Sequence, residues 1–170
     1  RYRILSDARM YDVLILGGGL YGASSAYHLL LREPSLKVCI VEPDAGYTHA
    51  ASARSNGGVR ILFSQPESIH MSQFGHEFYA GFCETMRVND EPAQLDLFRK
   101  GYMLMGTDPQ HVEDMQLNLE VQRQLGCNVE VYDRDSLKRK FPALNTEDVL
   151  MAVRSPHDMW IDPYSAVTGL

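Results

Sequence analysis

The sequence predicts an α/β fold, and three observations carry that expectation. A short apolar run rich in β-formers, Tyr11 to Leu16, is broken by Gly17-Gly18-Gly19. A helical segment follows from Leu20 to Leu31, with Ala23, Ala26, Tyr27 and Leu30 on one side, and Pro34 ends it. A second apolar run, Leu36 to Val41, closes at Glu42-Pro43. Strand, glycine turn, helix and strand within about 30 residues make a βαβ unit, whose crossover is right-handed. Both runs read as buried strands.

Further elements follow in order. From Ala45 to Gln65 the chain is small, polar and glycine-bearing, so a loop is expected. Pro66 opens a long helix to about Val88, with Met71, Phe74, Phe78, Phe82 and Met86 as an apolar stripe that packs against the domain. Leu97 to Thr107 gives two short strands meeting near Gly101. Pro109 to Leu125 reads as a helix with Gly126 at its C-terminal cap. Val129 to Tyr132 is a strand, and Asp133 to Phe141 a short helix capped by Asp133 or Asp135. Val149 to Arg154 is a strand, and a helix begins at Pro163.

Composition narrows the function classes. The 170 residues are 45% hydrophobic, enough for a core. A formal charge of −6 argues against nucleic acid or an anionic membrane surface as the main partner. No apolar run is long enough to span a bilayer. Cys39, Cys83 and Cys127 have no CxxC spacing, which fits free thiols in a reducing compartment. His70 and His76 are six apart, off any shared helical face, and no metal spacing is present.

The chemistry concentrates in Gly17-x-Gly19-x-x-Gly22, which follows a strand and opens a helix. The first glycine allows the tight turn, the second lets a pyrophosphate approach, and the third lets helix and strand pack closely. Phosphate charge then meets free N–H groups at the helix N-terminus. Glu42 stands at the end of the second strand, 20 residues after Gly22. A carboxylate there accepts a ribose 2′-hydroxyl and repels a 2′-phosphate, which disfavours NADP. FAD and NAD share this motif. A chain for NAD normally continues with further βα units, whereas this one gives the small-residue loop Ala50 to Arg60. Small residues and backbone N–H groups there suit the flat face of a flavin, and Arg60 would bring positive charge beside it. A plain surface loop is the equally simple reading of the same composition.

The strings Tyr11 to Glu42, AASARSNGGVR and FSQPE resemble the D-amino-acid oxidase superfamily of FAD-dependent oxidoreductases. The resemblance runs to the last residue. It favours the sarcosine oxidase and dimethylglycine dehydrogenase branch, and within it the mitochondrial FAD-dependent oxidoreductase domain-containing proteins linked to complex I assembly. Trp160-Ile161-Asp162-Pro163 resembles the family segment that returns from the substrate sheet to the FAD domain. The resemblance implies a Rossmann-like FAD-binding part over 1–94, the first part of a mixed-sheet substrate domain over 95–158, and a return segment over 159–170. It implies that Gly17, Gly19, Leu20, Tyr21 and Gly22 hold the pyrophosphate and that Glu42 holds the adenosine ribose. Arg54, Ser55, Asn56, Gly57 and Gly58 match the flavin-facing loop, and Arg60 an arginine near the ring. Ser55 stands where some members attach flavin through histidine, so a non-covalent flavin is expected.

The family is at least twice this length, so the chain is expected to work with a complementary C-terminal half or the remainder of the same protein. The start at Arg1 and the stop inside the helix begun at Pro163 point the same way. Two functions follow from the resemblance. One is the FAD-binding half of an oxidoreductase that moves hydride from a substrate C–N bond to flavin N5. The other is a non-catalytic FAD-binding subunit or assembly factor of a mitochondrial respiratory complex. A matrix location is preferred, and a cytoplasmic one if the source is bacterial. No residue stands out as a general base; His70, His76 and His157 qualify only by residue type.

Overall fold

The computed structural model describes residues 10–170. Arg1, the start noted above, lies outside the described residues. In chain order the elements are β1 (Val13–Leu16), α1 (Leu20–Arg32), β2 (Val38–Val41), β3 (Gly58–Val59), α2 (Pro66–Ala80), α3 (Phe82–Thr85), β4 (Leu97–Arg99), β5 (Tyr102–Gly106), α4 (Pro109–Gln124), β6 (Glu130–Tyr132), α5 (Arg134–Lys140), β7 (Met151–Ser155), β8 (Met159–Ile161) and α6 (Pro163–Gly169). They form two compact units: residues up to Asn56 with Asp162–Leu170, and Gly57–Ile161. Compactness groups residues 57–94 with the second unit, because Ile61, Leu62 and Ile69 share its core with Met115, Leu119, Met151 and Val153.

In the first unit β1 and β2 pair in parallel, Val13 opposite Val38 through Leu16 opposite Val41. α1 makes the crossover expected of a βαβ unit, and its Ala26 is buried. The expectation of buried strands is corrected here. Leu14 is 59% and Leu16 79% exposed, and Ile40 and Val41 are also exposed. The alternation along β1 sends one set of side chains toward the α1 side and the other to a face that no described element of this unit covers. α6 begins at Pro163 beneath an Asp162 cap, whose carboxylate accepts the Tyr164 and Ser165 N–H groups.

The second unit holds two three-stranded antiparallel sheets, β3-β8-β4 and β5-β7-β6. β4 and β5 were expected to meet near Gly101. The chain does turn there, with Gly101 at φ +79°, but the two strands join different sheets. A Cβ at Gly101 would lie 2.8 Å from the Ser155 carbonyl oxygen, so the turn requires glycine. β3 and β8 went unforeseen, being two and three residues long.

The long helix from Pro66 is also shorter than expected. It stops at Ala80, and Gly81 separates it from the four-residue α3. The stripe is buried only at its far end: Phe82 and Met86 are buried, while Met71 and Phe74 are exposed. Ile69, outside the stripe, is the fully buried side chain of α2. α4 and α5 form as expected. Asp108 caps α4 through the His111 N–H, and Gly126 follows its end at φ +74°. Asp133 rather than Asp135 caps α5, in a reciprocal capping box with Ser136. Among the described residues no helix is long and apolar enough to cross a membrane.

Candidate functional site

The glycine turn between β1 and α1 is built by the residues that the motif specifies. Gly17 has φ +99°, a conformation that favours glycine, and its N–H donates to Val41 O at 2.8 Å. Gly18 is buried, and a Cβ on it would press to 3.1 Å against Glu42 Cβ. A Cβ on Gly22 would stand 1.9 Å from the Gly17 carbonyl oxygen, so no other residue fits there. Gly19 differs. Its φ of −65° and ψ of −173° suit any residue, and a Cβ there would meet nothing within 4 Å. The protein itself does not require a glycine at 19. In a dinucleotide-binding turn, a glycine at this place lets a pyrophosphate approach the backbone.

Gly19 is also the N-cap of α1. It has no side-chain cap, and the first turn carries no acid, so the free N–H groups of that turn remain for an anion. These groups open on a cleft of about 520 Å³, a size that suits a nucleotide-sized ligand. Gly17, Gly19, Leu20, Tyr21, Gly22 and Glu42 all line it. Glu42 is half-buried at its rim. Its Oε2 accepts the Gly18 N–H at 2.7 Å and its Oε1 accepts the Asp44 N–H at 3.0 Å. Both carboxylate oxygens are thereby oriented and each retains a lone pair for a further donor.

The far wall of the cleft is lined by Asp44, His49, Ala50, Ala51 and Ser52. The last three open the small-residue loop singled out in the sequence, whereas Asp44 and His49 escaped sequence reasoning. Asp44 ties its own turn, with Oδ1 accepting the Gly46 N–H at 3.0 Å and Oδ2 the Thr48 N–H at 2.7 Å. These backbone hydrogen bonds, Gly46 first and Thr48 next, hold its carboxyl below the usual range. The spacing Asp44-x-Gly46 was the available signal, since aspartate readily caps a local turn.

Arg54, Ser55, Asn56, Gly57, Gly58 and Arg60 do not line this cleft. Residues 47–55 form a chain of turns, with the Ala50 N–H on Tyr47 O, Arg54 N–H on Ala50 O and Ser55 N–H on Ser52 O. Arg54, Ser55 and Asn56 are exposed. Gly57, at φ +69°, accepts the Ile161 N–H at 2.9 Å, and Gly58 pairs with Trp160 on the edge of the β3-β8-β4 sheet. The Arg60 guanidinium lies over the Phe63 ring at 4.7 Å and the Tyr102 ring at 5.7 Å. Among the described residues no cluster of histidine, cysteine and acidic side chains could hold a metal ion.

A family model described as DAO, FAD dependent oxidoreductase, matches residues 12–170. The chain belongs to this family. FAD is the cofactor of the family, and the open Gly19, the uncapped start of α1 and the cleft beside Glu42 fit it. Among similar proteins is FAD-dependent oxidoreductase domain-containing protein 1 of Bos taurus, 35% identical over 164 residues, covering 94% of this chain and 34% of that protein. The Xenopus laevis protein of the same name is 36% identical over 163 residues, covering 93% and 32%. The chain therefore spans about a third of the length of these relatives. The fold is that of L-proline dehydrogenase from P. horikoshii, with a TM-score of 0.76 at 22% identity, covering 94% of this chain and 40% of that one. Glycine oxidase from Bacillus cereus superposes at a TM-score of 0.71 and 23% identity, covering 94% and 42%.

Proposed function

We propose that this chain is the FAD-holding N-terminal part of an oxidoreductase that oxidises an amine or amino acid. The observation that carries the FAD-holding part of the reading is the contrast at the glycine turn: Gly22 is demanded by the fold, while Gly19 leaves open space for a ligand. The amine donor is supported by similarity to dimethylglycine dehydrogenase. FAD, when bound, would accept at N5 the hydride from the C–H bond next to the substrate nitrogen; loss of the N–H proton leaves an imine that water hydrolyses.

Each residue then has a task. The N–H groups at the start of α1 receive the pyrophosphate, with Gly17, Gly19, Leu20, Tyr21 and Gly22 forming the turn. Glu42, already steadied by two N–H groups, accepts the adenosine ribose hydroxyls. Arg54, Ser55, Asn56, Gly57 and Gly58 offer backbone and small side chains to the flavin. Arg60 brings positive charge, which favours the anionic reduced ring. Substrate contacts and proton transfer fall to a complementary C-terminal half or the remainder of the same protein.

Three further readings have their own support. A mitochondrial setting is favoured by similarity to mitochondrial dimethylglycine dehydrogenase of Rattus norvegicus, at 25% identity over 166 residues. A hydroxy-acid donor in place of an amine is favoured by similarity to mitochondrial L-2-hydroxyglutarate dehydrogenase of Homo sapiens, at 22% over 156 residues. The resemblance to proteins linked to complex I assembly motivates a non-catalytic role with retained FAD.

The deciding experiment is anaerobic. The full-length flavoprotein is mixed with panels of secondary amines, amino acids and 2-hydroxy acids while flavin absorbance is followed. Bleaching by the amines or amino acids supports the proposal, and bleaching by 2-hydroxy acids alone replaces it with the second donor class. Flavin that stays oxidised against all of them favours the assembly role. Acid precipitation that releases the yellow colour to the supernatant supports the non-covalent attachment expected from Ser55.

A further inference from the structure

Arg60 stands between two backbone groups that are each held by a side chain no motif announces. The N–H that follows it, on Ile61, donates to Asp158 Oδ2 at 3.0 Å. The carbonyl that precedes it, on Val59, lies 3.2 Å from His76 Nε2. His76 Nε2 also lies 3.6 Å from Asp158 Oδ1. A ring nitrogen that faces two acceptors carries the hydrogen, so His76 donates from Nε2. Ser155 completes the arrangement, its hydroxyl donating to Asp158 Oδ1 at 2.7 Å.

This arrangement is buried. The Asp158 side chain is 0% exposed and that of His76 is 15% exposed. Burial pushes the Asp158 carboxyl above its usual range, against the opposing effects of the Ser155 and Ile61 hydrogen bonds and the nearby His76 and Arg60 charges. A carboxylate taken out of water is costly unless its hydrogen bonds are filled. Here its partners converge on the backbone either side of one residue. The guanidinium of that residue rests on Phe63 and Tyr102, and among the described residues it forms no ion pair. Arg60 is thus fixed by its backbone and by two rings.

We propose that Asp158 and His76 are positioning residues for Arg60, clamping the backbone on both sides so that its guanidinium is presented in one place. This rests on the reading of Arg60 as the flavin-side arginine. A staple that only stabilises the sheet would hold the same hydrogen bonds, so the test must read the charge that Arg60 delivers.

That readout is the flavin midpoint potential of the FAD-loaded full-length protein. Arg60→Gln removes positive charge beside a group that becomes anionic on reduction, so the potential falls. Asp158→Asn has opposed possibilities. Loss of a negative charge alone would raise the potential, whereas loss of the clamp withdraws Arg60 and lowers it. The proposal expects a fall smaller than that of Arg60→Gln, and no further fall when the two changes are combined. His76→Leu keeps the volume and removes the donor, so it too lowers the potential, and His76→Gln restores it in part. The two His76 variants decide the matter should Asp158→Asn fail to fold. A rise in Asp158→Asn, or shifts that add fully to that of Arg60→Gln, would overturn the clamp. So would unchanged potentials in both His76 variants. An Arg60→Gln protein with an unaltered potential overturns the flavin-side reading of Arg60 instead.

Discussion

The two compact units of this chain bury their apolar side chains very differently. Residues 57–161 close a core in which Ile69, Phe82, Leu137 and Ala152 are fully buried. The βαβ unit buries Ala26, Ala166 and Val167, yet leaves Leu14, Leu16, Tyr21, Ile40 and Val41 exposed. One unit is organised by side-chain packing. The other is organised by backbone geometry at a glycine turn and by the carboxylate of Glu42. Its stability should therefore depend on the cofactor far more than that of its neighbour.

The largest expected effect tests the backbone side of this contrast. Gly22→Ala places a Cβ 1.9 Å from the Gly17 carbonyl oxygen, against backbone that cannot yield without opening the turn. The cost should exceed the ~1–3 kcal/mol typical of core overpacking. Bound FAD per protein, read by absorbance, should fall to nothing. On the packing side, Ile69→Ala empties a fully buried position and should cost ~2–5 kcal/mol by denaturant titration. FAD occupancy measured under native conditions should survive it. Loss of FAD in both variants would mean that the two units do not behave separately.

Cofactor linkage comes next. FAD at a hundredfold excess over its Kd should stabilise the folded protein by ~2.7 kcal/mol. The gain should appear as slowed amide exchange in β1 and β2, with little change in β7. Gly19→Ala sharpens this. Its Cβ meets no protein atom, and the backbone there is ordinary, so the fold should be unchanged. FAD affinity should nevertheless fall at least tenfold, about 1.4 kcal/mol, by fluorescence titration. A Gly19→Ala protein that binds FAD normally would remove the reason for a glycine at that position.

The sequence disclosed the parts of this fold that rest on local rules. The turn Gly17 to Gly22, the helix after it, an aspartate cap on α5 and Gly126 beyond α4 each follow from a residue acting on its neighbours, though the choice of Asp133 over Asp135 came only from the structure. What stayed hidden depends on distant partners. β3 is a strand only because β8 lies beside it, and its two residues gave no signal for it. The stripe on α2 had helical spacing, yet burial chose Ile69 and Phe82 over Met71 and Phe74. His76 looked like any histidine until the fold set it beside Asp158, far away in the chain. Glu42 stood out in the sequence at the end of the second strand, but not as the acceptor that steadies Gly18.

The smallest effect concerns the far wall of the cleft. Asp44 accepts the Gly46 and Thr48 N–H groups, and these bonds lower its pKa. A carboxyl with a lowered folded pKa favours the folded turn when ionised. Its contribution is present at neutral pH and is lost as pH falls below about 4, through the folded value. Asp44→Asn keeps one acceptor and loses the other. Amide exchange at Gly46 and Thr48 should therefore be faster than in the native protein at neutral pH, and the two proteins should converge on acidification. The Tyr47 N–H already donates to Asp44 O at 2.9 Å. If exchange at Gly46 and Thr48 is the same in both proteins at neutral pH, that backbone bond holds the turn by itself. The carboxylate would then be free to face the cofactor, and the cleft would have a second acid beside Glu42 rather than a structural one.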